Sequence, residues 1–190
     1  HVFGAGWFGV QARHGDTLGE YPLLMPMSTE QATVGGRETF GEPKKIAKIT
    51  SERDGDQIHN VVSRMGYTVA EIKGTIVGER DPEENERIDF YFKLLPSPEG
   101  PGMLDGDPYL VESHKHTRER KAELVDGAVI LGESPLDPVA DLPVRTLRSI
   151  TLCQRATVVE AHTVGTVPAA DVIPYVHQRY DDLSVLGKRD

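Results

Sequence analysis

A single cysteine among 190 residues, Cys153, excludes an internal disulfide framework and any zinc site built from several thiolates. Its setting, Ser149-Ile150-Thr151-Leu152-Cys153-Gln154, predicts a small buried hydrophobe rather than a reactive thiol. Long apolar runs are missing too. Stretches such as Pro22-Leu23-Leu24-Met25-Pro26-Met27 fall well short of the roughly 18 residues that a spanning helix needs. No membrane partner is expected, and a soluble, cytoplasmic protein is the default. Positive charge is scarce: 21 Lys and Arg face 30 Asp and Glu, giving a net charge of −9 and a pI near 5.3. Phosphate recognition needs a clustered basic surface, so no nucleic-acid partner is expected. The opening residues, His1-Val2-Phe3-Gly4-Ala5-Gly6-Trp7-Phe8-Gly9, hold neither an initiator Met nor a charged leader. The sequence is therefore expected to lack an N-terminal portion.

What remains is a chain of one-domain length, residues 1–190, with 19 Gly and 13 Pro punctuating short apolar runs. That rhythm predicts a mainly β, β-rich α+β fold. In Tyr67 to Ile76, Glu71 and Lys73 share one face while Ala70, Ile72 and Ile76 share the other, the period of a half-buried strand. Asp89 to Leu95, Pro108 to His114 and Glu123 to Leu131 read as further strands. Asp81 to Glu86 reads as a charged turn and the Pro- and Gly-rich stretch Pro96 to Pro108 as a long loop. One C-terminal helix is expected. Asp171 is its candidate N-cap, Pro174 lies in its first turn, and Ile173, Val176, Tyr180 and Leu183 recur at helical spacing. A weaker helix is expected over Leu142 to Ser149.

The stretch richest in chemistry is Val34-Gly35-Gly36-Arg37-Glu38-Thr39-Phe40-Gly41-Glu42-Pro43-Lys44-Lys45-Ile46-Ala47. A lysine attacks a carbonyl only as the free amine, so its pKa must fall from the ordinary value of about 10.4. A neighbouring cation or burial can do this. Two ammonium groups ~5 Å apart at a dielectric of ~20 repel by ~3.3 kcal/mol, but adjacent residues of a strand point to opposite faces. At ~12 Å and a dielectric of ~40 the repulsion shrinks to ~0.7 kcal/mol. Burial of Lys44 is therefore expected to matter more than the presence of Lys45. Taken alone, such a pair is more often a solvated surface than a catalytic element.

The pattern Gly36-Arg37-Glu38, then Gly41-x-Pro43-Lys44-Lys45, resembles the signature of the acetoacetate decarboxylase family. That family is the standard instance of a lysine with a cationic neighbour. Gly19-Glu20-Tyr21, Met65-Gly66-Tyr67, Phe92-Lys93-Leu94-Leu95-Pro96 and Pro138 to Val144 resemble further landmarks in the right order, over nearly the whole chain. The resemblance implies antiparallel sheets in a barrel- or cone-like domain and a homo-oligomer. It also implies Schiff base chemistry on a small keto acid, with no cofactor or metal. By motif position Lys44 is the imine-forming residue and Lys45 its catalytic neighbour. Arg37 has two readings, a clamp on the substrate carboxylate or an internal partner.

The family places a catalytic carboxylate on an upstream strand, whereas Gly6 to Gly15 contains no Asp or Glu. Gln11 is the nearest polar candidate there. An amide can donate to a substrate carboxylate and retain it, so slow CO2 release from acetoacetate is expected. The leading reading is decarboxylation of a β-keto acid, with aldol condensation and dehydration on pyruvate as the alternative. Glu112-x-His114-x-His116 offers a competing two-His, one-carboxylate set, although Lys115, Arg118, Arg120 and Lys121 beside it disfavour a divalent metal. A binder of small acids without activity is the remaining alternative.

Overall fold

The computed structural model describes residues 2–181. Strands dominate, as expected. β1 (Phe8–His14) and β2 (Thr17–Met27) form a hairpin, followed by α1 (Glu30–Phe40), β3 (Lys44–Ile46), β4 (Lys48–Asp54) and β5 (Gln57–Arg64). Then come β6 (Tyr67–Arg80), β7 (Glu84–Lys93), β8 (Tyr109–Leu131), a 3₁₀ turn at Val139–Asp141, β9 (Ile150–Thr166) and α2 (Ala169–Tyr180). The sheet runs β1-β2-β7-β8-β6-β5-β4, with β3 added to β2 and β9 to β8.

Most pairings are antiparallel, but β2 pairs in parallel with both β3 and β7. Among the described residues the sheet is an open path rather than a closed barrel. β8 is its spine. β7 pairs with Tyr109–Arg118 of β8, β6 with Ala122–Leu131, and β9 with the opposite edge from Tyr109 to Val125. The two strands read separately from Pro108 and Glu123 are thus one. The charged stretch between them stays extended because its charges find partners, as Arg80 donates to Glu119 on the neighbouring strand.

β2 explains its own lack of alternation. Leu24 packs on one face with Val69 and Val139, while Met25 and Met27 pack on the other with Tyr91 and Val111. A strand buried on both faces reads as a continuous apolar run.

The helices depart from expectation in three ways. α1 was hidden by Gly35, Gly36 and three β-branched residues, which lower helix propensity. Its ends are nonetheless well specified. The Thr29 hydroxyl accepts from the Ala32 N–H, and Gly41 closes the helix at φ +82°, its N–H donating to Arg37 and Gly36 carbonyls. Leu142 to Ser149 is not helical, since Pro143 holds the residue before it extended. α2 begins at Ala169, so Asp171 lies in the first turn rather than at the cap, and Pro174 falls inside the helix. Leu183, the last position of the expected helical stripe, lies outside the described residues. Cys153 is half-buried rather than fully buried. Its thiol donates to Glu119 at 3.1 Å and is pushed up to about 11 by burial and by that carboxylate.

A Cβ on Gly41 would stand 2.5 Å from the Lys93 N and Cα, in a left-handed conformation that L-residues avoid. Gly41→Ala is expected to cost at least about 1–3 kcal/mol. Urea unfolding should show a lower midpoint at an unchanged slope.

Candidate functional site

β3 is only three residues long, and its parallel register on β2 sets the site. Lys44 pairs with Met25, Lys45 with Pro26 and Ile46 with Met27. Strand alternation then sends the two lysines to opposite faces. Lys44 shares the face of Met25, on which Tyr91, Val111, Phe40 and Ala32 pack. Lys45 points to the face where Leu24 meets Val139.

Lys45 is buried and fully engaged. Its ammonium donates to Asp137 Oδ1 at 2.8 Å, to Asp181 Oδ1 at 2.7 Å and to the Leu136 carbonyl at 3.2 Å. Arg64 crosses the same two carboxylates, bonding Asp137 Oδ2 at 2.7 Å and Asp181 Oδ2. Two buried cations and two carboxylates thus balance one another. These pairings hold the Arg64 guanidinium above its ordinary value even though burial, the largest single influence, works against it. Asp181 sits in the left-handed position closing α2, so this network ties the C-terminal helix to β3.

Lys44 is arranged differently. Its side chain is 14% exposed and its Nζ lies 2.6 Å from Glu42 Oε2, on a side chain only 10% exposed. The two charges touch without hydrogen-bond alignment, and Glu42 Oε2 has no hydrogen-bond partner. Glu42 precedes β3, and the Lys44 N–H donates to its carbonyl at 2.8 Å across Pro43, a tight turn that brings the two side chains together. Gly36 of α1 makes the room. A Cβ there would stand 2.6 Å from Lys44 Cδ and closer still to its Nζ and to Glu42 Oε2.

Two guanidinium groups flank the free edge of β3. Arg37 Nη1 donates to the Lys44 carbonyl at 3.3 Å and lies over the Tyr180 ring, 4.7 Å from its centre. The internal contacts read for Arg37 are thus a carbonyl and an aromatic face, not an acid. Arg179 donates to the Phe92 carbonyl at 3.0 Å, and burial pulls it below its ordinary value. Neither has a carboxylate partner among the described residues. Tyr91 donates to the fully buried Asp89 at 2.9 Å, and Lys115 and Arg87 also pair with that carboxylate. Burial, with Asp89 and Glu42 adding to it, drives the Tyr91 phenol well above its ordinary value.

Gln11 is not brought to Lys44. It is exposed on β1 opposite Glu20 and lines a separate groove of about 540 Å³ with Arg87, His114 and Lys115. The basis for expecting slow CO2 release is removed with it, because the carboxylate beside the lysine comes from within the motif. The His pair is likewise dispersed. His114 meets Glu112 at 2.7 Å, while His116 faces Glu84 and Glu86. Among the described residues no three His, Cys, Asp or Glu side chains are grouped to hold a metal. Nor is any helix long and apolar enough to cross a membrane.

The family model for acetoacetate decarboxylase matches residues 3–166. No curated protein matches the chain. Among solved structures, an acetoacetate decarboxylase from Legionella pneumophila is similar at TM-score 0.71 and 17% identity, over 87% of this chain and 66% of that one. An acetoacetate decarboxylase-like enzyme from Sphingomonas wittichii RW1 gives TM-score 0.61 and 18% identity, over 87% and 68%. The enduracididine biosynthesis enzyme MppR, complexed with pyruvate, gives 0.64 and 14%, over 89% and 67%. The chain spans about two thirds of the length of these structures, and identities this low speak for the fold alone.

Breaking a buried ion pair from one side leaves the partner charge stranded. Asp137→Ala removes a shared partner of Lys45 and Arg64 and is expected to cost about 3–5 kcal/mol. Denaturant unfolding of wild type and variant checks the size. A loss below about 1 kcal/mol would mean that the network is not closed around Asp137.

Proposed function

The chain belongs to the acetoacetate decarboxylase family, and from that premise we propose that it is a Schiff base-forming carbon–carbon lyase acting on a small keto acid through Lys44. The observation that carries this reading is the inequality of the two lysines. All three donors of the Lys45 ammonium are occupied, two of them by carboxylates. Releasing a proton there would leave Arg64 to balance both Asp137 and Asp181. Lys44 has one partner, an opening to solvent and an apolar floor, the surroundings in which an amine can meet a ketone.

Lys44 Nζ adds to the substrate ketone, water leaves, and the resulting iminium draws electrons from the neighbouring bond. In a β-keto acid that bond leads to the carboxylate, so CO2 departs and an enamine remains. Protonation of the enamine carbon and hydrolysis of the imine release the product and restore Lys44. The iminium is itself the electron sink, so the chemistry requires no cofactor. Arg37 and Arg179, cationic and without carboxylate partners among the described residues, suit the recognition of an acid at the rim of the site. A second reading, aldol condensation and dehydration on pyruvate, uses the same imine and enamine. The likeness to MppR with pyruvate bound favours keeping it.

Incubation with acetoacetate or pyruvate followed by borohydride should add the reduced substrate's mass to the peptide containing Lys44. Lys44→Ala should abolish the label. Label found on Lys45, or surviving in Lys44→Ala, would reverse the assignment. CO2 release from acetoacetate, measured beside pyruvate–aldehyde condensation, separates the two readings.

A further inference from the structure

Imine chemistry needs a group that moves a proton at the carbon next to the imine, and this rests on the reading of Lys44 above. We infer that Glu42 is that group, a catalytic acid and base supplied from within the lysine motif itself. Its Oε2 lies 2.6 Å from the atom that becomes the imine nitrogen. The α-carbon is two bonds from that nitrogen, about 2.5 Å away for ordinary bond lengths, and so falls within reach of the same carboxylate. Oε2 is buried and accepts no hydrogen bond, which leaves a lone pair free to take a proton.

The other polar groups nearby do not fit the task. The Tyr91 phenol is buried, is held protonated and donates to Asp89. Lys115 is committed to Asp89 and Tyr91. Arg37 and Arg179 are too weakly acidic to give a proton to an enamine carbon and have none to accept. Gly36 keeps the space between α1 and β3 open for the carboxylate and the ammonium together.

The α C–H bond of the iminium breaks and its electron pair forms the C=C bond of the enamine. The C=N π pair returns to nitrogen, and the proton is bound by Glu42. Reversal of the step protonates the enamine carbon. After loss of CO2 the acid form of Glu42, recharged from solvent, performs that protonation and delivers the one proton that decarboxylation consumes. Glu42 therefore serves decarboxylation and aldol chemistry alike.

The readout is deuterium exchange into the methyl groups of acetone and pyruvate in D2O, followed by proton NMR, alongside borohydride trapping of the same protein. Wild type should catalyse exchange, and Lys44→Ala should lose both exchange and trapping. Glu42→Gln should still be trapped on Lys44, yet exchange at least about 100-fold more slowly per trapped imine. Formate should restore exchange to Glu42→Ala, a rescue that a purely structural carboxylate would not allow. Exchange at the wild-type rate in Glu42→Gln would overturn the assignment, as would a Glu42→Gln protein that folds but forms no imine. A wild-type protein that is never trapped would instead sink the reading of Lys44.

Discussion

Neighbouring residues of a β-strand cannot share a face, and the candidate site depends on that restriction. Set in parallel register on β2, the strand that carries Lys44 and Lys45 has no choice but to divide them. One lysine enters the apolar cluster under α1, and the other enters a cage of carboxylates. Identical side chains one residue apart thereby acquire different surroundings. A tight turn at Pro43, closed by the Lys44 N–H on the Glu42 carbonyl, brings Glu42 to Lys44. Pro43, between them, presents its carbonyl to the Met25 N–H and so fastens the short strand to β2.

This arrangement recasts what a second lysine contributes. Held on the far face by Asp137 and Asp181, Lys45 acts as an anchor that keeps β3 flat against β2 while Arg64 locks the carboxylates from behind. A buried network of this kind adds little net stability over an apolar core, but it specifies a single register. For β3 register is decisive, because a slip of one residue would exchange the faces of the two lysines.

The sequence made some of this legible and concealed the rest for physical reasons. The Gly-x-Pro-Lys-Lys pattern pointed to the candidate site, period-two alternation located β6, and the run from Asp89 located the second half of β7 while Glu84 to Glu86 read as a turn, because these are local signals. α1 escaped because its interior residues are poor helix formers, although Thr29 and Gly41 mark its ends. Glu42 stood in plain view two residues before Lys44, but the tight turn at Pro43 that brings it to that amine leaves no period-two signal. Asp137, Arg64 and Asp181 carried no local sign of their role, since their meeting with Lys45 is a product of topology. Gln11 was drawn into the site by position along the chain, whereas β1 faces away from β3 along the far edge of β2.

The bond between Lys45 and the end of α2 also has a meaning in time. Asp137 and Asp181 follow Lys45 by 92 and 136 residues. A chain made from its N-terminus exposes the lysine pair to the ribosome's surroundings long before either counter-charge has been translated. Closing loops of that span is entropically unfavourable until the intervening strands have assembled. Through most of synthesis β3 therefore has no anchor and Lys44 no apolar pocket. The surroundings that set the two lysines apart are thus complete only when the last turn of α2 has been made.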